Sequence, residues 1–337
     1  MTLPGPEALD TLGANPRAIW FLGFIPSEVA GRSILLDRKM SDMNEETVVT
    51  LTAGRLRLQL NPSIGGAISA FDWLDGDASR PILRRSPSPL EKVLDACCFP
   101  LVPYVNRIRD GRFVFRGREV RLRPNMAGDP SPLHGQGWLN PWEVESASKG
   151  SAALTYRHEP GDWPWSYEAR QEFALEEKGF TLVLSCRNTS SDLMPCGLGE
   201  HPYFPCGPET RIETLVTDAW TIDERVLPVE KVAAEGRYDL SDRLVCGQDL
   251  DNGFGGWGGK ARMSDPDWPF EVRLSSPDAR FFQLYSPLKG GVFVAEPVTH
   301  ANAALNAPEE QWSELGMRVL EPGESLSLRM RVDVKPK

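Results

Sequence analysis

From Val48 onward the apolar residues of this chain fall on every second position, as in Leu56-Arg57-Leu58-Gln59-Leu60. That period of two is the pattern of a strand with one face on a core. "RFVFRGREVRL" repeats it on both sides of Arg116-Gly117, and "RQEFALEEKGFTLVLSCR" repeats it around Glu177-Lys178-Gly179. Each reads as two strands joined by a tight turn containing glycine. The chain ends in the same way, with Leu326, Leu328, Met330 and Val332 alternating against polar neighbours after the turn "EPGES". Only short stretches such as "SPLEKVLDAC" look briefly helical.

The 29 prolines and 30 glycines are spread along the chain and mark many turns without marking a linker, and no repeat of fixed period is visible. Many short strands with such turns predict an all-β fold, a large antiparallel sandwich, in one domain from about 46 to 335. Residues 1–45 precede the patterned region. They are read as an N-terminal extension or a start assigned too early, with Met40 or Met43 as the alternative first residue. The apolar run AIWFLGFI within them is too short to span a bilayer, and the acidic Glu7 and Asp10 ahead of it do not suit a secretory signal.

Composition narrows the partners. With 47 acidic against 37 basic residues among 337, the formal charge is −10 and no basic run stands out. Nucleic acid and anionic membrane are therefore poor partners, and a neutral or weakly charged small molecule fits better. The six cysteines form no CxxC pair, so free thiols in a reducing cytoplasm are expected. His134, His158, His201 and His300 lie far apart without zinc spacing, so no metal is expected.

Four segments depart from plain alternation: "VPYVNRIRDGRF", "SPLHGQGW", "GLGEHPYF" and "FVAEPVTHANAALN". Pro202 restricts His201 to extended backbone, which suits either a proton-transfer imidazole or a core histidine bonded to a carbonyl. His134 sits between glycines that permit close approach to a ligand, with Trp138 as a wall; a surface turn is the alternative. Glu296 ends an apolar strand before Pro297, where desolvation makes a stronger base, or where it pairs with a cation such as Arg107. Asn106 and Arg107 suit sugar hydroxyls, or an ion pair on a strand. Asp251 precedes a glycine-rich loop that lacks the context of a phosphate loop. Trp163 and Trp165 could stack on a sugar or pack in the core.

Taken in this order, these segments resemble the aldose 1-epimerase (galactose mutarotase-like) family. "NRIRDGRFVFRGREVRL" is similar to its Asn-Arg segment and hairpin, "LHGQGW" and "GLGEHPYF" to its two histidine motifs. "LDNGF", "FQLYS" and "VAEPVTHANAALN" are similar to the segments carrying its aspartate, glutamine and glutamate. The resemblance spans about residues 48–334 and implies a β-supersandwich that interconverts the anomers of a free aldose without metal or organic cofactor, as a monomer or homodimer. It implies Glu296 as general base, His201 as general acid and His134 as a second imidazole near the ring oxygen. Arg107, Asn106, Asp251 and Gln283 would hold hydroxyls, with Asp249 a rival for Asp251. The segment "AEPVTH" departs from the "LETQ" form of classical galactose mutarotases and suggests a divergent bacterial-type branch.

Three alternatives remain. A hexose-6-phosphate 1-epimerase would need added cations, for which Arg109, Arg112 and Lys289 are candidates. A noncatalytic sugar-binding protein would keep the fold alone. A glycosidase would pair Glu296 with Glu200, but Glu200 and His201 are neighbours on one strand and point to opposite faces.

Overall fold

In a computed structural model of the protein, which describes residues 48–337, the alternating segments form antiparallel sheets joined by short loops and 3₁₀ turns. The two hairpins read from the sequence are present. Arg112–Phe115 pairs with Arg118–Arg121 around Arg116-Gly117, both at positive φ as a two-residue turn requires. Tyr167–Glu176 pairs with Gly179–Asn188 through Glu177-Lys178. "SPLEKVLDAC" contributes a single 3₁₀ turn, Val93–Asp95.

A nine-stranded sheet contains Tyr167–Glu176, Gly179–Asn188 and the closing strand Ser325–Pro336. An eight-stranded sheet runs in the order Pro228–Ala233, Asp218–Ile222, Leu250–Gly255, Phe281–Ser286, Val292–Val298, Gly199–Glu200 and Pro100–Leu101, with Tyr203–Pro205 also on Val292–Val298. Alternation in this second sheet divides its side chains cleanly. Leu250, Phe254, Phe282, Leu284, Phe293 and Ala295 join Leu182, Leu184 and Met330 in the main core. Their neighbours Phe281, Tyr285, Val294 and Val298 face the other way, where Phe99, Leu133 and Trp138 cover them in a second apolar cluster. The candidate residues Asp251, Gln283 and Glu296 lie on this second face.

Trp163 and Trp165 are buried among Phe113, Phe115 and Trp312, so they are core residues. The expectation that all six cysteines are free thiols is corrected: Cys206 and Cys246 form a disulfide across 40 residues, with Cα atoms 5.6 Å apart. Both follow strand ends that the fold brings together, a proximity that spacing along the chain does not encode. Cys97, Cys98, Cys186 and Cys196 are free and buried. The predicted extension, residues 1–45, lies outside the described residues.

The loop holding His134 depends on one glycine. His134 and Gly135 both have positive φ, 58° and 73°, and this turn lets Gln136 and Gly137 donate their N–H groups to the Val102 carbonyl at 3.1 and 3.2 Å. A Cβ on Gly135 would lie 2.1 Å from that same oxygen. Because the obstacle is backbone, Gly135→Ala should cost roughly 2–4 kcal/mol of stability. Denaturant unfolding checks this; an unchanged midpoint would show that the loop can yield.

Candidate active site

The register of the eight-stranded sheet explains how distant residues meet. Gly199 pairs with Val298 and Tyr203 pairs with Val294 on the same strand, so His201, midway between, falls opposite Glu296. Pro202 has no N–H to donate, and the ladder is interrupted there. His201 Nε2 lies 3.3 Å from Glu296 Oε1. The two are cross-strand neighbours in one sheet. Glu296 also pairs with Gln283, and Gln283 with Gly253, so Gly253, Gln283, Glu296 and His201 make one row. Asp251, Tyr285, Val294 and Tyr203 make the next.

Above these rows is a cavity of about 250 Å³ lined by Glu296, His201, His134, Arg107, Asn106 and Asp251, with Phe99, Trp138 and Tyr203 as aromatic walls. Phe99 stacks on the His201 imidazole, ring centres 4.6 Å apart and planes 17° apart, and Tyr203 flanks it at 4.7 Å. Glu296 Oε2 and His201 Nδ1 are buried with no protein partner. Buried polar atoms are seldom left so, and these two mark where a polar ligand can bind.

Burial governs the charges. It raises the Glu296 carboxyl well above its usual range; nearby Asp251 adds to the shift and Arg107 opposes it. Burial pulls His201 down to about 3, and the Arg84 cation adds to the effect. His134 is held far below its ordinary value, first by burial and then by His201, Arg107 and His300. Its Nδ1 accepts the Asn106 N–H at 3.0 Å, which assigns the proton to Nε2 and makes His134 a neutral donor.

Asp251 rather than Asp249 lines the cavity. Gln283, expected at a hydroxyl, lies behind it, almost fully buried, and donates from Nε2 to Asp251 Oδ1 at 3.1 Å. Arg107 is held by Asp129 at 2.8 Å and by Asn106 Oδ1 at 3.2 Å. None of Arg109, Arg112 and Lys289 lines the cavity.

Sequence reasoning missed four supporting side chains. His300 Nε2 accepts the Val105 N–H at 2.9 Å, Asn302 Oδ1 the Arg107 N–H at 3.1 Å, and Asn306 Oδ1 the Arg109 N–H at 2.7 Å. The available signal was one histidine and two asparagines at even spacing in "HANAALN", facing alternate residues of "VNRIR". The fourth is Arg84. Its guanidinium lies 3.5 Å over the Tyr203 ring while its Nε donates to the Ala96 carbonyl at 3.0 Å, tying together two segments that wall His201. No local motif announces that role.

A model of the aldose 1-epimerase family matches residues 47–333, and the chain belongs to that family. It is 35% identical over 301 residues to the uncharacterised protein YphB of Escherichia coli K12, covering 86% of this chain and 99% of that one. Its fold is similar to the crystal structure of an E. coli K12 protein named as a candidate aldose 1-epimerase, with TM-score 0.79 and 33% identity over 86% of this chain and 99% of the other. A galactose mutarotase-like protein from Clostridium acetobutylicum shares the fold at TM-score 0.75 and 19% identity, over 86% and 95% of the two chains. Among the described residues no helix is long and apolar enough to cross a membrane.

Glu200 occupies the opposite environment to its neighbour His201. Its carboxyl is buried, with Oε2 3.5 Å from the Cys98 thiol and Oε1 unpartnered. Burial raises it to about 8, against the pull of the Cys98 hydrogen bond. Between an unfolded value near 4.5 and a folded value of about 8, the folded chain keeps a proton that the unfolded chain has released. Stability from this group is therefore lost as pH rises through that window. Glu200→Gln should reduce the loss of unfolding free energy between about pH 5 and 8 by roughly 1–4 kcal/mol. Denaturant melts of both proteins at the two pH values measure it; parallel pH dependences would contradict the assignment.

Proposed function

We propose that the protein is an isomerase, a mutarotase that interconverts the α and β anomers of a free aldose by opening and closing its ring. The observation that carries this reading is the buried Glu296–His201 pair, 3.3 Å apart and facing a cavity that also holds His134, Arg107 and Asp251. Anomerisation removes the proton of the C1 hydroxyl and delivers one to the ring oxygen. The one proton that the pair shares supplies both: passed from Glu296 to His201 across their 3.3 Å contact, it leaves a carboxylate and an imidazolium on one side of a small cavity. Glu296 takes the hydroxyl proton, His201 protonates the ring oxygen, and C1 becomes an aldehyde carbon. Rotation about C1–C2 presents the other carbonyl face to the C5 hydroxyl, and the two groups act in reverse. His134 donates from Nε2 to the oxygen that accumulates charge, and Asp251, Asn106 and Arg107 orient hydroxyls.

A free sugar is favoured over a 6-phosphate. Among the described residues lining the cavity the one cation is Arg107, which Asp129 already engages, and Asp251 and Glu296 would oppose a dianion. The pairing of Glu296 with Glu200 expected of a glycosidase is not formed, because Glu200 is bonded to Cys98 and does not line the cavity.

Polarimetry on freshly dissolved α-D-galactose and α-D-glucose tests the reading. Glu296→Gln and His201→Asn should each lower kcat by about 10²–10⁴ while the protein stays folded. An unchanged equilibration rate over a broad panel of aldoses with the wild-type protein would overturn it.

The pH profile separates this buried pair from two independent groups. With ordinary values of 4.5 and 6.5, a carboxylate base and an imidazolium acid would work best between those values. Burial resists both a second proton and the loss of the first, so the pair keeps one proton across neutrality. The profile of kcat/KM should show a plateau through about pH 7, with limbs displaced outward on both sides. A basic limb centred near 6.5 would show that the two titrate independently.

A further inference from the structure

A second, larger cleft of about 790 Å³ adjoins the same strands. Asp251 and Tyr285 line the catalytic cavity, and four residues along the same two strands Gly255 and Phe281 line the cleft. Gly253 pairs with Gln283 between them, so alternation puts all these positions on one sheet face. At about 3.3 Å per residue, the cleft begins roughly 7 Å along the sheet from the Glu296–His201 row and roughly 13 Å from the Asp251 row.

The cleft owes its shape to glycine. A Cβ on Gly255 would lie 3.2 Å from Trp220 Cη2, and one on Gly253 would lie 3.1 Å from Gln283 Oε1 and 3.9 Å from the same indole. The half-buried Trp220 ring therefore lies along bare backbone, next to the catalytic row. From there "GGWGG", residues 255–259, crosses to the nine-stranded sheet, where the strands Lys260–Ser264 and Phe270–Ser275 form the far wall.

The lining chemistry is that of a hydroxyl-rich ligand. Asp218 and Glu314 are interspersed with Lys231, Lys260 and Arg280, and Lys231 lies both 3.4 Å from Asp218 and 5.7 Å from the Trp220 ring centre. Such a mixture offers donors and acceptors without the single-sign field that a phosphate or nucleic acid requires. Ser276 also lines the cleft, fully buried, and its Oγ has no hydrogen-bond partner. An aromatic face beside mixed polar groups and an unsatisfied hydroxyl matches a sugar ring, apolar on its C–H face and polar at its rim.

We infer that this cleft is a saccharide subsite, which holds the non-reducing part of a short oligosaccharide whose reducing end occupies the catalytic cavity. The inference rests on the anomerase reading and extends its substrate class from single aldoses to linked ones. Trp220 is the platform between the two sites, and Ser276 and the charged rim bind hydroxyls of the outer rings.

Two measurements test it. Anomerisation of glucose and galactose is compared with that of α- and β-linked disaccharides and trisaccharides bearing those sugars at the reducing end. At least one oligosaccharide should exceed its reducing-end monosaccharide by 10-fold or more in kcat/KM. Trp220→Ala should bring that ratio to about one, Trp220→Phe should retain most of it, and Ser276→Ala should reduce it with the protein still folded. Saturation-transfer NMR on Glu296→Gln reads the cleft without chemistry, by whether the non-reducing ring receives saturation and loses it in Trp220→Ala. Saturation of that ring without anomerisation by the wild type would leave the subsite standing and overturn the mutarotase reading. Anomerisation with neither oligosaccharide preference nor saturation of the outer ring would overturn the subsite, and failure of both measurements would overturn both.

Discussion

A carboxyl and an imidazole 3.3 Å apart inside a protein are constrained to share one proton. Removing that proton leaves a buried anion and adding a second leaves a buried cation; desolvation opposes both. The rest of the site follows from this constraint. Asp251 and Arg107 act on Glu296 with opposite sign, so the cavity carries no strong net bias toward either charged form of the pair. His134 is kept neutral by its surroundings and by the Asn106 N–H on its Nδ1. In the proposed reaction this pair supplies both halves of the proton exchange.

Holding such a pair to a few tenths of an ångström calls for rigid support, and the sheet supplies half of it. Glu296 and His201 are fixed by ladder pairing on either side of the Pro202 interruption. The other half comes from an unusual strap. The segment of Val105, Arg107 and Arg109 pairs with residues 132–134 along one edge, and on the other edge the N–H groups of these three residues are satisfied by the side chains of His300, Asn302 and Asn306. Asn306 also donates to the Arg112 carbonyl and Asn302 to that of Val226. Side chains thus do here what a β-partner does elsewhere, and they leave the Arg107 guanidinium free to reach the cavity.

Much of this was legible in the sequence, for identifiable reasons. Period-two alternation is local, so Leu56 to Leu60, the two hairpins and the closing strand can be read directly. Glu296 and His201 stand out because each is an ionisable residue directly before a proline, Glu296 at the end of an apolar run. What could not be read depends on pairing between segments distant along the chain, from Arg107 and Asp129 to Arg84 and Tyr203. Nothing in "FQLYS" says that Gln283 lies behind Asp251, because that follows from the pairing of Gly253 with Gln283. Arg84, Asp129 and the Cys206–Cys246 bridge were invisible for the same reason: each acts on a partner that only the folded sheets bring near.

Register also clarifies the departure at "AEPVTH" from the classical form. Glu296 reaches the cavity, but the residues after it turn to backbone support. Thr299 Oγ1 accepts the Leu198 N–H at 2.9 Å, and His300 bridges the Val105 N–H and its neighbour's carbonyl at 2.9 and 2.8 Å. Gly197 must be glycine for this to hold, since a Cβ there would lie 1.9 Å from the His300 ring. The segment after Glu296 thus fastens the Asn106-Arg107 loop and does not itself line the cavity. The polar lining of the cavity comes from two rungs of one sheet and two loops above. Divergence in substrate within this branch is therefore to be sought where those rungs run on toward Trp220, along Gly253 and Gly255, rather than in the motif around the glutamate.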